Sequence, residues 1–171
     1  MQKNSNMKKF VIFIFIIFGY SFELKYDSFS ANFTQIVKSD NKTIVYNGDL
    51  FVKNNKVFWH YSTPIEKKIW ITNKIYVYEP DLEQVTIYNK KDNLFQLIKT
   101  AKKIKSHLYK KYYNNKNIYF VTKNKMIIKI YYKDKINNVV SILFKNIQPK
   151  KLLNKIFTPS YPNYVDIIYS Q

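Results

Sequence analysis

The chain has 171 residues, with 29 Lys, 11 Asp or Glu, a formal charge of +18, no Arg and no Cys. That length fits one domain with a real core, and 46% hydrophobic and 18% aromatic content excludes a disordered tail protein. Without Cys there are no disulfides, zinc thiolates, iron–sulfur clusters or thiol catalysis, and no lipid-modified N-terminal Cys. Lys, Asn, Ile, Tyr and Phe make up 100 of the residues. All five have A/T-rich codons, so base composition is one origin of the charge. The positive field still attracts anionic surfaces and nucleic acid non-specifically. The missing guanidinium fork argues against a specific nucleic-acid partner.

Met1 to Lys9 is polar and positive, Phe10 to Phe18 is unbroken apolar, and Gly19 and Ser21 are small residues two apart. These are the three regions of a secretory signal peptide, cut after Ser21. An uncleaved anchor is the other reading, but nine apolar residues fall well short of the roughly 20 that span a bilayer. Removing residues 1–21 leaves a single domain over 22–171 with a net charge of +15, exported to the periplasm.

A weak helix is expected over 22–29. Short apolar-rich segments at 31–38, 43–53, 56–61, 68–72, 75–79 and 82–88 then read as strands, separated by turn signals such as Asn54-Asn55, Thr63-Pro64 and Glu79-Pro80-Asp81. In 43–53, Ile44, Tyr46, Gly48, Leu50 and Val52 share one face. Next comes a stretch with helical spacing. Leu94, Leu97, Ile98, Ala101, Ile104 and Leu108 recur every three or four residues opposite Lys99, Lys102, Lys103 and Lys105, with Asp92 placed to cap the start. More strands follow at 117–122, 125–133 and 138–145. In 125–133, Met126, Ile128, Ile130 and Tyr132 form the apolar face. The pattern is an antiparallel meander curved around an interior, with one amphipathic helix available to cover its mouth.

No catalytic constellation is visible, and the reading is non-enzymatic. His60 and His107 lack ligand neighbours at metal spacing and read as structural. Glu79, Asp81 and Glu83 lack the Gly and the longer ligand series of a calcium loop and read as a solvated turn. There is no Gly-rich phosphate loop or nucleophile elbow. No cofactor or metal is called for.

Several stretches go beyond composition. Ala31-Asn32-Phe33-Thr34-Gln35 is followed by Asn47-Gly48-Asp49-Leu50-Phe51-Val52-Lys53, then by Trp59-His60-Tyr61-Ser62-Thr63-Pro64, then by Tyr78-Glu79-Pro80-Asp81-Leu82-Glu83-Gln84-Val85. Phe157-Thr158-Pro159 and Val165-Asp166 come near the end. In order and spacing this resembles the outer-membrane lipoprotein carrier LolA family, over most of residues 28–168. The resemblance implies a mainly β fold: an incomplete, unclosed antiparallel β-barrel with a short α-helical lid. It implies a monomeric periplasmic chaperone that holds the acyl chains of lipoproteins in a hydrophobic cavity. Its partners would be acylated lipoproteins, an inner-membrane lipoprotein-releasing ABC transporter and an outer-membrane lipoprotein receptor.

On that basis Phe33, Leu50, Val52, Val57, Trp59, Tyr61, Ile69, Ile71, Tyr76 and Val85 are the expected lipid-binding cavity, and Leu94, Phe95, Leu97 and Ile98 the lid. The family commonly has an Arg after the Gly-x-Leu-x-Val-Lys strand that latches the lid. This chain reads Lys53-Asn54-Asn55-Lys56-Val57 there, so Lys53 or Asn54 must serve, or the latch is absent. Two other functions fit the same residues: an exported basic protein that binds anionic lipid or nucleic acid, and a lipid or lipoprotein sensor of the same fold.

Overall fold

The computed structural model describes residues 22–89 and 94–170, so the expected signal peptide over 1–21 and the expected helix cap Asp92 lie outside the described residues. Twelve strands form one sheet: β1 (Ser28–Lys38), β2 (Thr43–Lys53), β3 (Lys56–Thr63), β4 (Lys67–Ile71), β5 (Lys74–Glu79), β6 (Gln84–Asn89), β7 (Lys102–Lys105), β8 (Leu108–Tyr113), β9 (Lys116–Lys123), β10 (Met126–Lys133), β11 (Val139–Pro149) and β12 (Asp166–Ser170). The spatial order is β12-β6-β5-β4-β3-β2-β1-β11-β10-β9-β8-β7. It consists of two meanders joined where β1 pairs antiparallel with β11. Only β12 runs parallel to its neighbour, β6. The two edge strands, β12 and β7, do not pair with each other, so the barrel is unclosed. No helix among the described residues is long and apolar enough to cross a membrane.

Asn supplies the tight turns. Asn54, Asn114, Asn115, Asn124, Asn137 and Asn146 have φ between 48 and 66°, the left-handed region that Asn tolerates better than most residues. The chain has only two Gly, so this work falls to Asn.

The β10–β11 turn is organised by Asp134. Its carboxylate accepts the backbone N–H groups of Ile136 and Asn138, each at 2.9 Å, and the Asn138 side-chain amide at 2.9 Å. Desolvation pushes this carboxyl up, but those three donors and the Lys116 charge outweigh it and hold it below its ordinary value. A depressed folded value contributes stability above the unfolded Asp pKa of about 3.9, and that contribution is lost as pH falls through the folded value. Amide protection at Asn138 is therefore expected to persist through the ordinary Asp pKa of about 3.9 and to collapse only at lower pH in the parent. It should be independent of pH there in Asp134→Asn, as measured by hydrogen exchange.

Three sequence expectations are corrected. The segment 22–29 is not a helix. Phe22, Leu24 and Tyr26 alternate with the exposed Glu23, Lys25 and Asp27 in an extended approach to β1. The helix expected over 94–108 is one turn, α1 (Leu94–Leu97), followed by a 3-10 turn at Ile98–Thr100. Beyond it the chain is the hairpin of β7 and β8, and Ile104 is exposed. Its spacing matched the helical period by coincidence across a change of element. A bulge between Ile127 and Lys129 also shifts the phase of β10, so Ile127 is buried in place of Ile128.

Candidate functional site: an apolar hollow under a one-turn helix

The inner face is built by alternation. Phe33 on β1, Leu50 and Val52 on β2, and Val57 and Trp59 on β3 are all buried and point to one side. From the other arm come Ile118, Phe120, Ile130, Val140, Ile142 and Phe144, and the two sets form one apolar cluster. Leu50, Phe120 and Ile130 are fully buried.

A cavity of about 210 Å³ lies on this face. Val57, Trp59 and Tyr61 of β3 and Ile69 and Ile71 of β4 form one wall, with Tyr132 of β10 and Ile142 of β11 opposite. In the sheet order β4 and β10 are five strands apart, roughly 24 Å if the sheet were flat. Meeting across one small cavity requires strong curvature. A second hollow of about 250 Å³ shares Gln35, Tyr61 and Ile69 with the first and extends toward Ile65 and the Lys67–Glu79 ion pair (2.7 Å).

Tyr61 stands between the two hollows. Its hydroxyl donates to Gln35 Oε1 at 2.8 Å, and its ring packs edge-on against Phe33 at 4.8 Å and Tyr46 at 6.0 Å. Burial first, then the neighbouring Tyr132 and Tyr46, push its phenol above the ordinary value and keep it neutral. It presents one satisfied polar contact in an otherwise apolar wall.

α1 is seated in this hollow. Phe95 lines the first cavity and packs against Phe29 (5.9 Å), Trp59 (6.2 Å) and Phe144 (5.9 Å). Leu97 and Ile98 are buried in the same cluster, and the Ala101 N–H closes the turn onto the Ile98 carbonyl at 3.0 Å. The side chain of Leu94 lies outside the described residues. One helical turn has almost no stability of its own. α1 is therefore held by the apolar contacts of Phe95, Leu97 and Ile98.

Of the expected cavity residues, Val57, Trp59, Tyr61, Ile69 and Ile71 line the cavity, and Phe33, Leu50 and Val52 pack in the apolar cluster that forms its floor. Tyr76 and Val85 do not join them. They pair across the sheet with Ile87 and Tyr78, and pack with Trp70, Tyr161 and Val165 in a second cluster on the outer face. The Trp70 indole donates there to the Ile156 carbonyl at 3.2 Å, so residues 152–165 cover that face. Gln35, Tyr132 and Ile142 line the cavity without having been singled out from the sequence. Tyr132 was on the apolar face read for 125–133, so a signal for it existed. Gln35 stands in the Phe33-Thr34-Gln35 stretch that carries the resemblance, but its contact with Tyr61 is visible only in the structure.

The sequence is similar to those of known proteins. The profile of the family described as outer membrane lipoprotein carrier protein LolA matches residues 25–99. A Campylobacter jejuni protein named outer-membrane lipoprotein carrier protein is 36% identical over 170 residues, covering 95% of this chain and 99% of its own. This chain belongs to the LolA family. A Helicobacter pylori protein of the same name is 38% identical over 136 residues, covering 76% of this chain and 73% of its own. The fold alone is shared with a crystal structure of an uncharacterized conserved protein from Thermus thermophilus, at a TM-score of 0.54 and 9% identity over 85% of this chain and 92% of that one.

Within this LolA-family chain, Lys53, one of the two residues offered as a lid latch, does not reach the lid. Lys53 Nζ donates to the Leu152 carbonyl at 2.8 Å and to Asn154 Oδ1 at 3.1 Å. It ties β2 to the C-terminal segment. Asn54 lies nearer the lid, in a hollow that Phe95 and Gln96 also line, and its backbone N–H donates to the Asp27 carbonyl at 2.7 Å. Lys53→Met is expected to cost about 2 kcal/mol, the scale of hydrogen bonds from a charged group. Amide exchange should quicken at 152–157 and stay unchanged at α1. Faster exchange at α1 with a tight C-terminal segment would restore the latch reading.

Proposed function

We propose that this protein is a periplasmic carrier of acylated lipoproteins. Export by residues 1–21 leaves the single domain 22–171, which receives cargo from an inner-membrane ABC transporter and delivers it to an outer-membrane receptor. The observation that carries this reading is the apolar hollow of Val57, Trp59, Ile69, Ile71 and Ile142, filled in part by the helical turn that bears Phe95. Family membership and the names of the relatives support it.

The physical need is large. Each methylene removed from water gains about 0.8 kcal/mol, so one long acyl chain in water stands to lose on the order of 10 kcal/mol. A carrier must offer most of that back without binding so tightly that delivery fails. α1 competes for the same surface as cargo, and this competition moderates the affinity. The reading is tested by offering the purified protein one lipoprotein in acylated and non-acylated form. Stable, salt-resistant capture of the acylated form alone is expected. Equal capture of both forms, or of neither, contradicts it.

A further inference from the structure

The charge of this chain is confined to one arm of the sheet. Residues 22–89, which supply β1–β6, carry eight Lys against eight Asp or Glu. Residues 94–150, which supply β7–β11, carry fourteen Lys against one acid, Asp134. A codon bias alone would enrich Lys in both arms without balancing it in just one of them.

The outer face of this arm is also organised. Lys110 lies over the ring of Tyr119 at 5.7 Å, Tyr119 stacks on Tyr131 at 4.8 Å, and Lys129 lies over Tyr131 at 5.4 Å. This makes a row across β8, β9 and β10. Lys102 on β7 sits directly opposite Lys110, a like-charge pair that destabilises an antiparallel ladder. The nearby Tyr112 is 65% exposed. On the other arm the outer face is covered by residues 152–165.

We propose that the outer face of β7–β10 docks on anionic phospholipid headgroups. Lysines on an edge strand discourage strand-to-strand aggregation, and that accounts for β7. It does not account for Lys110 and Lys129, which stand inside the sheet. Lys is depleted from protein–protein interfaces, where Arg is preferred, so an acidic protein is the poorer partner. A plane of anionic headgroups needs only compact, mobile positive charges, and Tyr is suited to the boundary between water and acyl chains. An anionic surface would also relieve the Lys102–Lys110 repulsion. The face would bring the hollow to a membrane without inserting anything into it.

The test is flotation of the purified protein with phosphatidylcholine vesicles, with and without phosphatidylglycerol, at low and high salt. Binding is expected only with phosphatidylglycerol and only at low salt. Each neutralised Lys should weaken it about fivefold, so the triple variant Lys102→Gln, Lys110→Gln, Lys129→Gln should lose on the order of a hundredfold. The control Lys38→Gln, Lys42→Gln, Lys74→Gln removes as much charge from the neutral arm and should lose much less. Near-UV circular dichroism confirms that both variants fold. Equal losses in the two variants overturn the proposal, as does absence of binding. Salt-resistant binding also overturns it, because lipid would then be entering the hollow. So does capture of an acidic polypeptide or an oligonucleotide through these lysines when vesicles are ignored. Failure here leaves the carrier reading intact, since acylated cargo is captured by the hollow.

Discussion

Phe95→Asp is expected to expel the lid while the sheet stays folded. Phe95 is buried and in ring contact with Phe29, Trp59 and Phe144, an apolar setting for a carboxylate. An unpaired charge in such a site costs several kcal/mol. The cheapest escape is for α1 to leave, because one turn of helix has almost no stability of its own. Three observations should follow. Trp59 loses one of its ring neighbours and its emission shifts to the red. The hydrophobic dye ANS binds more strongly to the uncovered hollow. Acyl cargo, no longer displaced by the lid, dissociates at least ~10-fold more slowly, which corresponds to about 1.4 kcal/mol of lost competition. Far-UV circular dichroism should remain that of the parent sheet. Parent-like emission and dye binding would show that α1 is not a detachable lid. Unchanged cargo release would show that it does not regulate affinity.

Gly48→Ala should be among the most damaging single-methyl additions in the chain. A Cβ there would overlap the backbone carbonyl oxygen of His60 and come within 2.9 Å of Phe33 Cε1. Neither can yield easily. His60 belongs to β3, which is bound on both sides by β2 and β4. Phe33 is nearly fully buried and in edge contact with Trp59 at 5.0 Å and Tyr61 at 4.8 Å. The pairing is already irregular between Asn47 and Gly48, so the strands use the missing side chain to approach closely. Overpacking at such a site costs about 3 kcal/mol. Urea unfolding should show that loss as a lower midpoint with little change in slope. A change within about 0.5 kcal/mol would mean that β2 and β3 separate more freely than their spacing implies.

The strands were legible where one face is apolar and the other is not. In 43–53 the set Ile44, Tyr46, Gly48, Leu50 and Val52 has the phase seen in β2, and Leu50 and Val52 end fully or almost fully buried. The phase failed in β5 and β6, because both faces there are apolar. Ile75 and Val77 face one way, Tyr76 and Tyr78 the other, and the outer face is satisfied by Tyr161 and Val165 from far along the chain. No local pattern encodes a covering segment so distant in sequence. Tyr76 and Val85 sit on the side opposite to the expected one for that reason.

Lys53 is a similar case. Its partners, Leu152 and Asn154, are distant in sequence, so at the end of β2 the family resemblance pointed it to the lid. The 94–108 segment failed differently. Leu94, Leu97 and Ile98 carry the spacing of a real turn, but Ile104 and Leu108 extend it only by chance, and each belongs to a separate strand. The charge showed the limit of composition. A single total of +18 concealed one neutral arm and one strongly basic arm, and only the strand order revealed that they are two surfaces.

The account rests on the hollow beneath α1 holding acyl chains. The most direct measurement is native mass spectrometry of the protein isolated from cells without denaturant or detergent. The expected result is a subpopulation with one acylated lipoprotein bound, lost when α1 is fixed in place by a cross-link between Phe95→Cys and Phe144→Cys. Recovery of oligonucleotides alone, of non-acylated polypeptides, or of the empty chain from cells rich in lipoprotein would contradict it.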